Sequence, residues 1–201
     1  MIEIDIRNKS FDDQQVLGNA ALTIPAGECV AVLGPSGIGK TTLLRIAAGL
    51  DTEFEGQVTR PERLAMVFQE PTLLPWRTAA DNLKLIVGLT DEAAEAALQR
   101  VGLDGKGGHL PDQLSLGQRR RLALARAFAA RPDFLVMDEP FASLDKALAT
   151  EMIALTRNLL DGAPIATLLV THSESEASAL SDRITYLQGR PAVLTNAQAA
   201  D

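Results

Sequence analysis

The chain has 201 residues, 46% of them hydrophobic, which suits one domain with a full core and excludes a disordered class. Its formal charge of −7 argues against broad electrostatic binding to nucleic acid, which needs a basic surface or stripe. A single cysteine builds no disulfide framework and fits a reducing compartment, and no apolar run approaches the roughly 18–20 residues of a membrane span, so a soluble, unexported chain is expected.

Ile2, Ile4 and Ile6 alternate with Glu3 and Asp5 rather than forming a signal-like run. After a polar turn, Ala20 to Ile24 continues the pattern, which predicts a small half-buried antiparallel sheet ahead of everything else. Glu28 to Leu33 reads as a short buried strand with Cys29 as a small core residue, and Lys40 to Ala48 as the helix after it. Between them, Gly34-Pro35-Ser36-Gly37-Ile38-Gly39-Lys40-Thr41-Thr42 satisfies G-x-x-x-x-G-K-[ST] in the strand-loop-helix setting that this phosphate-binding pattern requires. Glycines at 34, 37 and 39 let backbone amides converge on anionic oxygens, and the helix N-terminus adds its dipole. Lys40 is expected by the β- and γ-phosphates, the Thr41 hydroxyl on Mg²⁺, and Thr42 toward the α-phosphate.

Phe54 to Val58 and Met66 to Phe68 predict further short strands. From Thr78 to Arg100, apolar residues at helical spacing predict two helices broken around Gly88 and Thr90-Asp91. A glycine-rich loop over 102–112 leads into Leu114-Ser115-Leu116-Gly117-Gln118, which opens a helix to about Ala130 with Ser115 as its N-cap. Phe134 to Met137 and Ile165 to Val170 are continuous apolar runs, as strands of a parallel sheet buried on both faces should be, with a helix from Met152 to Leu160 between them. The expected fold is α/β: a phosphate-loop NTPase core with a mostly parallel sheet, a small antiparallel β subdomain and an inserted α-helical subdomain. It forms a single domain over 1–201, with 1–76 and 131–201 as the core and 77–130 as the helical insertion.

Asp138-Glu139 puts two carboxylates at the C-terminal end of a buried strand, where ligands of open α/β sheets gather. Asp138 suits the metal and Glu139 the attacking water of phosphoryl transfer. His172 follows the next apolar strand directly and can reach the same edge, toward the γ-phosphate and the water. Gln69 ends its strand and can offer an amide oxygen to Mg²⁺ or the water. His109, alone in its loop, reads as structural. The helix N-terminus at Ser115, Gly117 and Gln118 is a second anion site, and one triphosphate has little use for two. The economical arrangement pairs two chains head to tail, each giving this terminus to the ATP held by the other. Arg119, Arg120 and Arg121, with Arg126 and Arg131, could suggest nucleic-acid binding, but three consecutive helical residues point to different faces and make no stripe, so a solvated, ion-paired surface is expected.

With the phosphate loop, Gln69, LSLGQ, Asp138-Glu139, Ser143-Leu144-Asp145 and His172 in order, the chain resembles the nucleotide-binding subunit of ATP-binding-cassette transporters over essentially its whole length. The resemblance implies ATP held between two subunits, Phe11 stacking on adenine, Ser143-Leu144-Asp145 linking the two sites and Glu139 as general base. Phe11 reads equally well as a core aromatic. Leu116 departs from the family, which usually has glycine there, and would be costly if that position needed a positive φ.

The segment Gln69-Glu70-Pro71-Thr72-Leu73-Leu74-Pro75-Trp76-Arg77 is similar to importers of nitrate, taurine and aliphatic sulfonates. Leu73, Leu74 and Trp76 either line a groove for a short helix of a membrane subunit or pack into the core. Expected partners are two permease subunits, a solute-binding protein and a second copy of the chain, with the subunit peripheral on the cytoplasmic face of the cell membrane. The alternative is a non-transport cassette ATPase of repair, translation or cofactor assembly. A small-molecule kinase shares the phosphate loop but leaves LSLGQ without a role.

Overall fold

The computed structural model describes residues 1–12 and 14–196. In chain order its elements are β1 (Ile2–Phe11), β2 (Gln14–Leu17), β3 (Ala20–Ile24), β4 (Cys29–Leu33), α1 (Lys40–Ala47), β5 (Glu55–Thr59), β6 (Leu64–Val67), α2 (Ala79–Val87) and α3 (Asp91–Arg100), followed by α4 (Leu116–Ala129), β7 (Phe134–Asp138), α5 (Lys146–Leu160), β8 (Ala166–Thr171), α6 (Glu174–Leu180), β9 (Arg183–Gln188) and β10 (Val193–Asn196).

The first sheet is antiparallel, with β1 pairing β2, β3 and β5. Ile2, Ile4 and Ile6 are buried while Glu3 and Asp5 are exposed, as the alternation requires. The polar turn expected after Ile6 is instead the continuation of β1 and the short strand β2. The register shift between Ile6 and Asn8, with Arg7 as the extra residue, flips the inward-facing parity of β1, so Lys9 rather than Asn8 or Ser10 is buried; the shift between Lys9 and Ser10 skips Val16 of β2. That slip hid β2 and the end of β1 from a strict period of two.

The second sheet runs β10-β9-β4-β8-β7-β6, parallel except for the antiparallel β9–β10 edge. Its strands divide two apolar layers. Cys29, Ala31 and Leu33 of β4, with Leu135 and Met137 of β7, face the helices α2 to α6. Val30 and Val32, with Phe134 and Val136, face α1 and the antiparallel sheet. Burial on both faces explains why these strands read as unbroken apolar runs.

Helix starts follow their caps: Thr78 accepts from Asp81 N, Thr90 from Ala93 N, Asp145 from Leu148 N and Ser173 from Glu176 N. The Asp145 cap starts α5 at Lys146, earlier than the apolar spacing from Met152 indicates. Asn82, fully buried in α2, binds Leu74 N and the carbonyls of Leu74, Arg77 and Thr78, so the segment before α2 is held by its own helix. Among the described residues no helix is long and apolar enough to cross a membrane.

Candidate active site

Register brings the chemistry to one edge. Leu33 pairs with Thr171 and Asp138 with Val170, so the residues that follow each strand, Gly34, Glu139 and His172, emerge side by side. The Glu139 amide donates to the Val170 carbonyl, which anchors that turn.

The phosphate loop is shaped by left-handed backbone at Gly37 (φ 76°) and Gly39 (φ 114°). Gly39 is also where a side chain has no room, since a Cβ there would lie 2.9 Å from Leu17 Cδ2. As N-cap of α1 it provides no side-chain acceptor, and the first turn carries no acidic residue. The amides of that terminus are thus left to an anion.

Lys40, 4% exposed, donates to the carbonyls of Gly34 at 2.9 Å and Pro35 at 3.1 Å, and its Nζ lies 3.3 Å from Glu139 Oε1. The other Glu139 oxygen is 3.1 Å from His172 Nδ1. Thr41 Oγ1 donates to Asp138 Oδ1 at 3.5 Å. Burial pushes the Asp138 carboxyl above the usual range, the Glu139 charge adds to it, and the Thr41 hydroxyl and Lys40 offset part. Phe11, Val16, the loop and Glu139 enclose a cavity of about 260 Å³. Phe11 is 49% exposed, which excludes its reading as a core aromatic.

Ser115, Gly117 and Gln118 do not line that cavity. They start α4 as a capping box: Gln118 N donates to Ser115 Oγ at 3.2 Å and Ser115 N to Gln118 Oε1 at 2.9 Å. Leu116 is the first helical residue, 42% exposed and without a positive φ, so its bulk strains nothing. Gly117 lies against Leu148, whose Cδ1 would be 2.9 Å from a Cβ placed there. Gln69 is exposed beyond β6 and is not brought into the Thr41–Asp138 pair. Leu73 packs on the core, whereas Trp76 is 70% exposed and belongs to the surface.

The arginines of α4 are a correction to the expected solvated surface. Arg120 is buried and donates to the carbonyls of Pro140 and Ala142, directly after Glu139. Arg126 donates to the carbonyls of Pro71 and Thr72 and to the Thr72 hydroxyl, just after Gln69. Arg121 binds the Val101 carbonyl and Glu151. One helix therefore grips the segments that follow two of the expected site residues. A signal existed: Arg120 shares its face with Gly117, Ala123, Leu124 and Ala127, all buried, and a cation on an apolar stripe needs acceptors. Five non-glycine residues among those described have left-handed backbone, and Thr72 (φ 41°), Glu139 (φ 43°) and Ser143 (φ 64°) lie in or beside these gripped segments.

Residues 17–142, spanning phosphate loop, α4 and Glu139, match the ABC transporter family. The chain belongs to the ABC transporter family. It is 44% identical, over 94% of its own length and 82% of the relative's, to the aliphatic sulfonates import ATP-binding protein SsuB 1 of Pseudomonas aeruginosa (strain UCBPP-PA14). It is 46% identical, over 90% of its length and 74% of the relative's, to SsuB 2 of Streptomyces avermitilis. In structure the cassette is similar to a dimeric post-hydrolysis state of the ATP-binding cassette MJ0796 bound to ADP and Pi, with a TM-score of 0.82 and 26% identity over 100% of both chains. The ABC cassette described here is accordingly an ATP-binding ATPase subunit of a membrane transporter, which sets aside repair, translation and small-molecule phosphorylation.

Proposed function

We propose that this ABC ATPase drives an importer of aliphatic sulfonates or a related small anion such as taurine or nitrate. It works as a homodimer with ATP between the copies, docked on two permease subunits at the cytoplasmic face of the membrane and supplied by a solute-binding protein. The names of its relatives and the segment ending in exposed Trp76 support the cargo and docking. The division into a core over 1–76 and 131–201 and a helical signature unit over 77–130 goes with this reading, α2, α3 and α4 all falling in the latter.

The observation that carries the proposal is the chain of contacts from Lys40 through Glu139 to His172 beside an uncapped helix N-terminus. Incoming triphosphate competes with Glu139 for Lys40. Lys40 turns to the β- and γ-oxygens, the loop amides of Ser36 to Thr42 cradle the phosphates, and the Glu139 carboxylate is released to a water. Glu139 accepts the proton of that water as its oxygen attacks the γ-phosphorus in line. The bond to the β-phosphate oxygen breaks, leaving ADP and phosphate. His172 Nδ1 holds the carboxylate in place, and Ser115 with the Gly117 amide of a second copy stabilises the charge spread over the γ-oxygens.

Thr41 and Asp138 fit a magnesium ion: two hard oxygens meet beside the loop, and Asp138 carries a carboxyl raised by burial that a cation would relieve. When bound, Mg²⁺ supplies charge neutralisation at the β- and γ-oxygens. Gln69, exposed beyond β6, would be the further oxygen donor of this set.

The test is light scattering with ATP on Glu139→Gln and on Glu139→Gln/Ser115→Arg. A dimer in the first that is lost in the second is expected, together with a turnover about 10²- to 10⁴-fold below the parent in the first. A monomer in both, with permease subunits added, would sink the composite site.

A further inference from the structure

Two lysines are deeply buried among the described residues, and one of them, Lys9 at 2% exposure, has no part in the phosphate site. Its Nζ donates to Asp51 Oδ1 at 2.8 Å and to the Glu53 carbonyl at 2.8 Å. It also lies 4.4 Å from the centroid of the Phe11 ring. An ammonium has three N–H donors, so with two given to oxygens the ring face is the partner left for the third.

The register shift between Ile6 and Asn8 carries Lys9 to the buried side of β1, and Phe11 lies two residues on, with its ring over the ammonium. Asp51 belongs to the turn just beyond α1: its amide and that of Leu50 both donate to the Arg45 carbonyl, and Glu53 N donates to Asp51 Oδ1. One buried ammonium therefore ties the far end of the phosphate-loop helix to the ring at the end of β1. Lys9 lies over one face of the ring, and Phe11 is 49% exposed. The ring also borders the same cavity as the phosphate loop.

We infer that Lys9 is a positioning residue for the nucleobase: its ammonium, stacked under Phe11, fixes that ring as a platform with one face open to a purine. The inference rests on the reading of Phe11 as the adenine contact. Cation–π attraction holds the ring plane before nucleotide arrives, so binding does not have to order it. The cation also draws π density to its own side, which reduces repulsion between the outer face and an electron-rich base.

The experiment is calorimetric binding of MgATP and of inorganic tripolyphosphate, which lacks a base, to the intact chain and to three variants. Phe11→Leu removes the platform, and Lys9→Met/Asp51→Asn removes the charge pair. Lys9→Gln keeps donors for both oxygens without a cation and serves if the double variant fails to fold. Either Lys9 variant is expected to weaken MgATP about three- to tenfold, to leave tripolyphosphate within about twofold, and to add nothing in a Phe11→Leu background. Unchanged ATP affinity in the Lys9 variants, with a loss in Phe11→Leu, overturns the role of Lys9 and leaves the adenine contact standing. Unchanged affinity in Phe11→Leu removes the adenine contact and Lys9 with it. Equal losses for ATP and tripolyphosphate, or full additivity with Phe11→Leu, assign Lys9 to the fold and overturn the inference.

Discussion

Asp138 is a residue whose environment opposes its resting charge. Its carboxyl is raised above the usual range, chiefly by burial, so the native state holds that proton more tightly than the unfolded chain does. As pH rises from the ordinary aspartate value through the raised one, the native state loses stability relative to the unfolded, and at neutral pH the ionised group is a standing cost. Asp138→Asn keeps an acceptor for the Thr41 hydroxyl and removes the charge. The nucleotide-free variant should melt above the parent at pH 7, the gap closing as pH falls below the aspartate range, while ATP turnover is lost. A melting point at or below the parent's at pH 7 would contradict this account. Cys29 is the opposite case: buried at 5% exposure, its thiol is pushed up to about 12, mainly by desolvation, and it does nothing but fill space.

At the scale of elements, the antiparallel sheet depends on close backbone approach at Gly56. Gly56 pairs with Ile6 at φ 144°, and a Cβ would sit 2.0 Å from the Asp5 carbonyl oxygen. Gly56→Ala should lower stability by about 1–3 kcal/mol in denaturant unfolding, with nucleotide affinity falling as β1 shifts. A midpoint equal to the parent's would show that the strand slides at no cost. The buried strands and amphipathic helices were legible in the sequence because burial imprints a period, and the phosphate loop because its glycines and lysine sit between a strand and a helix. What escaped did so for physical reasons. A bulge reverses strand parity without any residue type that announces it, which concealed β2 and the inward turn of Lys9. Arg120 and Arg126 bind main-chain carbonyls, and carbonyls carry no sequence signature. Gln69 was legible as a strand end, yet its exposure depends on how the following segment is held.

For the whole molecule, the proposed motor needs two surfaces beyond its own nucleotide edge: the start of α4, offered to a second copy, and the region of Trp76, offered to a permease. The chain holds both through α4, whose N-terminus carries Ser115 and Gly117 and whose later turns bind Pro71 and Thr72 ahead of Trp76. Trp76→Asp in the assembled transporter should reduce copurification of the permease by tenfold or more, since exposed aromatics anchor interfaces, while the melting point of the isolated chain stays within about 1 °C. Undiminished copurification would move the docking surface elsewhere. The left-handed backbone at Thr72, Glu139 and Ser143 carries a consequence for the history of such a sequence. Glycine at any of the three would relieve roughly 1 kcal/mol of steric opposition. At Glu139, random mutation therefore offers the chain a gain in robustness where the proposed cycle needs a side chain. A lineage released from transport should drift toward glycine there, becoming sturdier as it falls silent.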